Sequence, residues 1–292
     1  MTSWTVAVSI PFADAPQPAA SWLLAGAAVV IVGIAKSGFG SGVGIVAVPM
    51  FLFAFPDNAE AIGALLPLLI AADILSVYHH WGTWDRPNLR VLAPGTLVGL
   101  VGGGALMWWM MGAGWPPWAS DGGHAMDAAE NRLQIAVGVV CVLYVLADQV
   151  KARFASGFIY RAGYVGGSTA GFFAGVVTTV AHAAGPVITI YLLGQHLAKQ
   201  RFVGTAVIYF FTVNLIKQAS IYPLLGLTRV DTLWAGLWLL PLVPLGTWLG
   251  TRLNRVMSEK VFRATILVIT LASGLKLIGV DRMAAWFLAT VG

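Results

Sequence analysis

Lys36-Ser-Gly-Phe-Gly-Ser-Gly-Val-Gly44, closing at Pro49, interrupts an apolar stretch, and its outline returns 137 positions downstream. There the chain reads Gly175-Val-Val-Thr-Thr-Val-Ala-His-Ala-Ala-Gly-Pro186, which sets Gly38 against Gly175 and Pro49 against Pro186. Irregular backbone at membrane depth frees N–H and C=O groups, and it persists only where protein or a wet cavity satisfies them. Two such breaks at matching places in two halves mark the substrate site of a solute carrier.

The surrounding composition is that of a membrane protein. Of 292 residues, 58% are hydrophobic and 10% charged, where soluble domains carry about a quarter charged residues. Mean hydropathy is +0.81. Apolar segments fall at 19–36, 40–55, 59–82, 89–112, 131–150, 160–180, 184–195, 200–225, 231–252 and 260–280. The second and seventh are too short to span the roughly 30 Å hydrocarbon core as helices, and each follows a break. The expectation is an all-α polytopic protein of two inverted repeats with five apolar segments each. The first two segments of each repeat form a broken or re-entrant hairpin, giving eight full spans plus two hairpins, or ten spans. Residues 1–18 form a lead-in that is not a cleaved signal peptide, residues 19–150 the first repeat and 151–292 the second.

Charge fixes the orientation. With the N-terminus outside, the inner loops hold Arg86, Arg90, Lys151, Arg153, Arg161, Lys199, Arg201, Arg252, Arg255, Lys260 and Arg263, 11 of the 17 Lys and Arg. The outer side holds Arg132, Arg229 and Arg282. Both termini are therefore expected outside. The net charge of +5 reflects this bias rather than a nucleic-acid partner. Further along the repeat, Asp85 pairs with Asp231, and Pro94, Gly99 and Gly103 pair with Pro241, Gly246 and Gly250. Trp81, Trp84, Trp108 and Trp109, at segment ends, read as interfacial anchors, and Lys276 as a side chain that snorkels outward.

The groups able to hold a ligand sit in the breaks and on the eighth segment. Gly40 and Gly42, with Ser37 and Ser41, offer close backbone approach and hydroxyl donors, and a restarting helix turns free N–H groups toward an anion. Tight helix packing is the plainer account of such glycines. Lys36 either faces the cavity or flanks the inner surface. Thr178, Thr179 and His182 line the second break, and His182 can bind an anion when protonated, carry a proton, or simply pack. Lys217, with Asn214 one turn before it, aligns with His80. It serves an anion or pairs with Asp73, the acid well inside a segment. His182, Asp73 and His80 are the candidates for proton coupling. Cys141, the one cysteine, reads as core. No metal, nucleotide or paired-carboxylate motif occurs, so neither an enzyme nor a pump driven by ATP is expected, and no cofactor.

The run Gly33-Ile-Ala-Lys-Ser-Gly-Phe-Gly-Ser-Gly-Val-Gly44 with Pro49, and its partner ending Ala-Gly-Pro186, resemble the glycine-rich signature of the sulfite exporter TauE/SafE family. The resemblance implies a bacterial inner-membrane transporter of sulfite, sulfoacetate or related organosulfonates, expected to act as an exporter, and the inverted repeat implies alternating access. Thr178-Thr179-Val-Ala-His182 departs from the family's second glycine cluster and leaves the substrate open. The partners implied are a small anion, a co-transported proton and the lipid bilayer, with the chain a monomer or homodimer. An anion channel, or an uptake permease for another oxyanion or carboxylate, is the alternative.

Overall fold

The computed structural model describes residues 12, 17–36, 43–112, 125–154, 163–256 and 259–280. Among them the regular structure is all helical: α1 (Pro18–Ile34), α2 (Ala47–Ala54), α3 (Asn58–His79), α4 (Arg86–Gly112), α5 (Ala125–Phe154), α6 (Tyr164–Ala181), α7 (Gly185–Leu193), α8 (Lys199–Ile216), α9 (Tyr222–Leu224), α10 (Val230–Leu239), α11 (Leu242–Val256) and α12 (Glu259–Ile278). Pro18 opens α1 from a position where its missing N–H costs nothing. Asp57 caps α3 by accepting from the Ala59 and Glu60 N–H groups at 2.6 and 3.1 Å. Val98, Val101, Leu143, Phe173 and Val268 point outward and exposed, the apolar exterior that lipid requires.

The helices match the ten expected segments in order, with two differences. Five described helices are long and apolar enough to span, and a sixth span arises if α10 and α11, bent by 45° at their junction, act together. Eight to ten spans were expected. The 17 residues of α1 rise only about 25 Å, and the apolar part of α12 is Ala264–Ile278. In addition, α5 begins at Ala125, inside what reads from the sequence as a long loop.

The packing is reciprocal between the halves. Helix α4 lies along α6, and α11 lies along α1. Gly99 meets the Phe172 carbonyl and Gly246 meets the Val30 carbonyl, while Gly175 packs on Gly99 and Gly33 on Gly246. Gly33 thus holds the place against α11 that Gly175 holds against α4, shifting by five residues the alignment that the sequence suggested through Gly38. The extra five residues fall in the first break. Gly138 of α5 and Gly274 of α12 meet each other directly. Likewise Gly63 of α3 abuts the loop at Leu227, and Gly204 of α8 abuts the loop at Thr83.

These close approaches leave no room for a side chain. A Cβ at Gly95 would stand 1.7 Å from the Ser168 carbonyl oxygen, whereas one at Gly163 would meet nothing within 4 Å. Gly95→Ala is expected to destabilise the fold by about 3 kcal/mol or more, and Gly163→Ala by less than about 0.5 kcal/mol. Thermal melting in detergent checks the pair; equal melting temperatures would refute the α4–α6 register.

Candidate functional site

Helices α3 and α8 run antiparallel and meet at mid-length. Asp73 of α3 receives a hydrogen bond from Asn214 Nδ2 on α8 at 2.8 Å. These two residues are related by the register that relates Gly63 to Gly204, so the contact joins equivalent positions of the two halves. Lys36, in the turn that ends α1, donates to Asp73 Oδ1 at 2.5 Å and to the Leu69 carbonyl at 3.1 Å. Asp73 is buried. A charge in that setting needs a partner, and Lys36 supplies it. The counter-charge that the sequence offered to Lys217 therefore goes to Lys36.

Lys217 has other partners. It opens a π-helical turn, Lys217–Ile221, just ahead of Pro223, whose missing N–H breaks the regular ladder. The turn brings Nζ to the Thr178 carbonyl at 2.9 Å, the Thr178 hydroxyl at 3.2 Å and His182 Nδ1 at 3.0 Å. Three acceptors around one nitrogen suit an ammonium, which has three N–H groups and no lone pair. His182 then accepts at Nδ1, carries its proton on Nε2 and donates to the Tyr222 hydroxyl at 3.2 Å. Tyr222 in turn donates to the Thr179 carbonyl at 3.0 Å. Protonating His182 here would set two cations 3 Å apart. His182 itself ends α6 in the left-handed region, φ 49°, a conformation more usual for glycine at a helix end.

A cavity of about 700 Å³, counting the part that opens at its mouth, lies against these groups. Its polar lining is Lys36, Asp73, Ser76, Thr178, His182 and Asn214. Its apolar lining is Leu69 of α3 with Phe202, Val203, Ala206, Val207 and Phe210 of α8. The cavity runs from Asn214 toward the start of α8, the end of the fold that carries Thr83 and Asp85.

Of the residues singled out from sequence, Lys36, Thr178, His182, Asn214 and Asp73 come together on the cavity. Lys217 lies one layer behind, fully buried against Thr178 and His182. Thr179 is also behind it, its hydroxyl bonded to the Gly175 carbonyl at 2.8 Å. His80 caps α3 away from the cavity, its ring edge-on to His79; partial burial and then the His79 charge hold its imidazole below the usual range. In the repaired register Lys217 corresponds to Ser76 rather than His80. Ser37, Gly40, Ser41 and Gly42 lie outside the described residues. Lys276 is exposed and sits 4.9 Å over the Phe53 ring. Ser76, Tyr222 and the apolar wall carry no sequence signal beyond being ordinary residues of apolar helices, although Pro223 marks the turn that aims Lys217.

Two ammonium groups, Lys36 and Lys217, and one carboxylate, Asp73, make up the charged groups of this cluster among the described residues. Among the described residues no group of three or more His, Cys, Asp or Glu could hold a metal.

Residues 25–277 match the family model described as TauE: Sulfite exporter TauE/SafE. No curated protein and no solved structure matches the chain.

Proposed function

Because this chain belongs to the sulfite exporter TauE/SafE family, a family of membrane transporters, we propose that it carries sulfite, sulfoacetate or a related organosulfonate across the bacterial inner membrane. The observation that carries this reading is the Lys36 amine on the cavity wall, paired with Asp73, with a second lysine, Lys217, buried just behind it. A lysine at membrane depth needs an anionic partner, and once Asp73 is protonated a small anion takes that place. Thr178 and Asn214 add polar groups on the same cavity. Lys217 and Thr179 act from behind, holding His182 and the end of α6 in position.

Transport proceeds by alternating access between two inverted repeats, residues 19–150 and 151–292, with both termini on the periplasmic side and ten segments in the membrane, the first two of each repeat forming a hairpin. The reciprocal packing of α4 on α6 and α11 on α1 supports the inverted pair. The cavity extends along α8 toward its start, as the access path of a carrier would. Asp73 is the coupling group: a proton on its carboxylate releases Lys36, whose ammonium then binds the anion. Anion and proton then move together, and export follows when the anion's own outward gradient exceeds the inward proton gradient.

Proteoliposomes test this with labelled sulfite and sulfoacetate, with and without a pH gradient. The expected result is saturable flux that responds to the gradient, and a flux indifferent to it in Asp73→Asn. Flux without saturation would identify a channel, and no flux of either anion would remove the sulfur-anion reading.

A further inference from the structure

At the start of α8 the fold has a second pocket, lined by Gly82, Trp84, Asp85, Arg86 and Pro87 around the turn into α4 and by Arg201 of α8. Arg201 directly precedes Phe202, which lines the main cavity. The Asp85 N–H donates to the Thr205 hydroxyl, one turn further along α8, at 2.8 Å. The pocket therefore stands at the end toward which the cavity runs. Its charges are unequally spent. One Asp85 oxygen accepts from the Asn88 N–H at 3.1 Å and from the Asn88 side-chain amide at 2.9 Å. The other lies 3.9 Å from Arg201, beyond hydrogen-bond reach. Arg86 and Arg201 are both exposed, and neither guanidinium has a hydrogen-bonded partner among the described residues. Two guanidinium groups against one carboxylate leave the lining one positive charge in excess. Basic residues in any inner loop would satisfy membrane orientation, so orientation does not require two of them, from separate helices, to share a pocket beside the cavity. The opposite end of the fold differs in sign. Arg201 corresponds to Glu60 in the register that relates Gly204 to Gly63, and the pocket there is lined by Asp57, Glu60 and Arg229.

We infer that Arg86 and Arg201 form a capture subsite for the transported anion at the mouth of the cavity, and that this subsite favours a doubly charged anion over a singly charged one. The inference rests on the anion site proposed at Lys36 and adds where the anion is first held and which charge is preferred. The two guanidinium groups concentrate anions beside Phe202, from where the path to Lys36 runs along α8. Coulomb energy scales with ligand charge, so a gain of about threefold for a monoanion becomes about tenfold for a dianion.

The test compares sulfoacetate, which carries two charges at neutral pH, with methanesulfonate, which carries one. Initial rates are read in proteoliposomes sorted so that the Arg201 face is outward, at low ionic strength and at about tenfold higher. The sulfoacetate KM is expected to rise about tenfold with salt and the methanesulfonate KM about threefold. In Arg86→Gln/Arg201→Gln the sulfoacetate KM is expected to be at least about tenfold above wild type at low salt. That difference should shrink at high salt, which a loss of folded protein would not produce. Asp85→Asn moves the other way: its amide oxygen still caps α4, and losing the carboxylate should lower the sulfoacetate KM about threefold at low salt. The same salt dependence in all three proteins, or for both anions, overturns the inference and leaves the Lys36 site standing. An effect of the arginine variant seen with phosphatidylglycerol but lost in phosphatidylcholine alone gives the pocket to a lipid phosphate and overturns it as well. Transport of neither anion by the wild type removes the anion site itself, and the subsite with it.

Discussion

Purified Lys36→Met is expected to bind sulfite or sulfoacetate at least about 100-fold more weakly than the wild type. Lys36 Nζ is the ammonium on the cavity wall, and it is held by Asp73 and the Leu69 carbonyl. A hydrogen bond to a charged group contributes about 1.5–3 kcal/mol. Removing one partner of a buried ion pair costs about 3–5 kcal/mol, chiefly because the other charge is left unpaired. Here that unpaired group is a carboxylate facing an incoming anion, so both effects act against binding. Lys36→Met/Asp73→Asn separates them. Its neutral amide keeps a partner in Asn214 and should restore much of the thermal stability lost in the single variant, without restoring the affinity. Lys217→Met gives the contrasting pattern, with a larger loss of melting temperature than of affinity, because Lys217 bonds Thr178 and His182 rather than the cavity. Wild-type affinity in a folded Lys36→Met protein would overturn the assignment. Titration calorimetry and thermal melting on the same samples read both quantities.

The order of helices was legible because lipid leaves little choice: every spanning segment must be apolar and must satisfy its own backbone. The short α2 and α7 announced themselves through Pro49 and Pro186 and the glycine runs before them. The register between the halves was not legible. Gly38 and Gly175 are the conspicuous glycines of the two runs, yet the residue that packs as Gly175 does is Gly33, and what decides this is Gly246, more than 200 residues away in the chain. The start of α5 at Ala125 was hidden because Asp127 and Glu130 make its first turns polar.

At the site, the charged and polar members were legible for an energetic reason. Lys36, Asp73, His182 and Lys217 interrupt apolar runs at a cost that only a partner or a cavity offsets. Which partner each takes depends on geometry that sequence spacing does not carry. Asp73 lies within reach of both halves, and the π turn before Pro223 directs Lys217 to Thr178 instead. The cavity's apolar wall was invisible because Phe202 and Phe210 are residues that any lipid-facing helix would also carry.

Thiol labelling at two matched positions is expected to be mutually exclusive, with rates differing at least about tenfold between conformations. Gly63 and Gly204 each abut the loop that follows the other's helix, and Asp73 meets Asn214. In that register Ala61, Ile62, Leu65 and Leu66 on α3 stand where Phe202, Val203, Ala206 and Val207 stand on α8. The α8 set lines the cavity, while each of the four on α3 is at most 1% exposed. If the halves exchange conformations, as inverted repeats do in alternating access, the α3 set becomes the wall of a pathway to the opposite side as the α8 set closes. In a Cys141→Ser background, Val207→Cys should react with a membrane-impermeant maleimide from the cytoplasmic side, and Leu66→Cys from the periplasmic side. A bulky adduct on Val207→Cys should hold the cytoplasmic pathway open and thereby suppress periplasmic labelling of Leu66→Cys in the double variant. Simultaneous labelling of both from one side would indicate a continuous pore. Failure to label Leu66→Cys at any pH or anion concentration would mean that α3 never opens, and would refute the exchange while leaving the anion site at Lys36 intact.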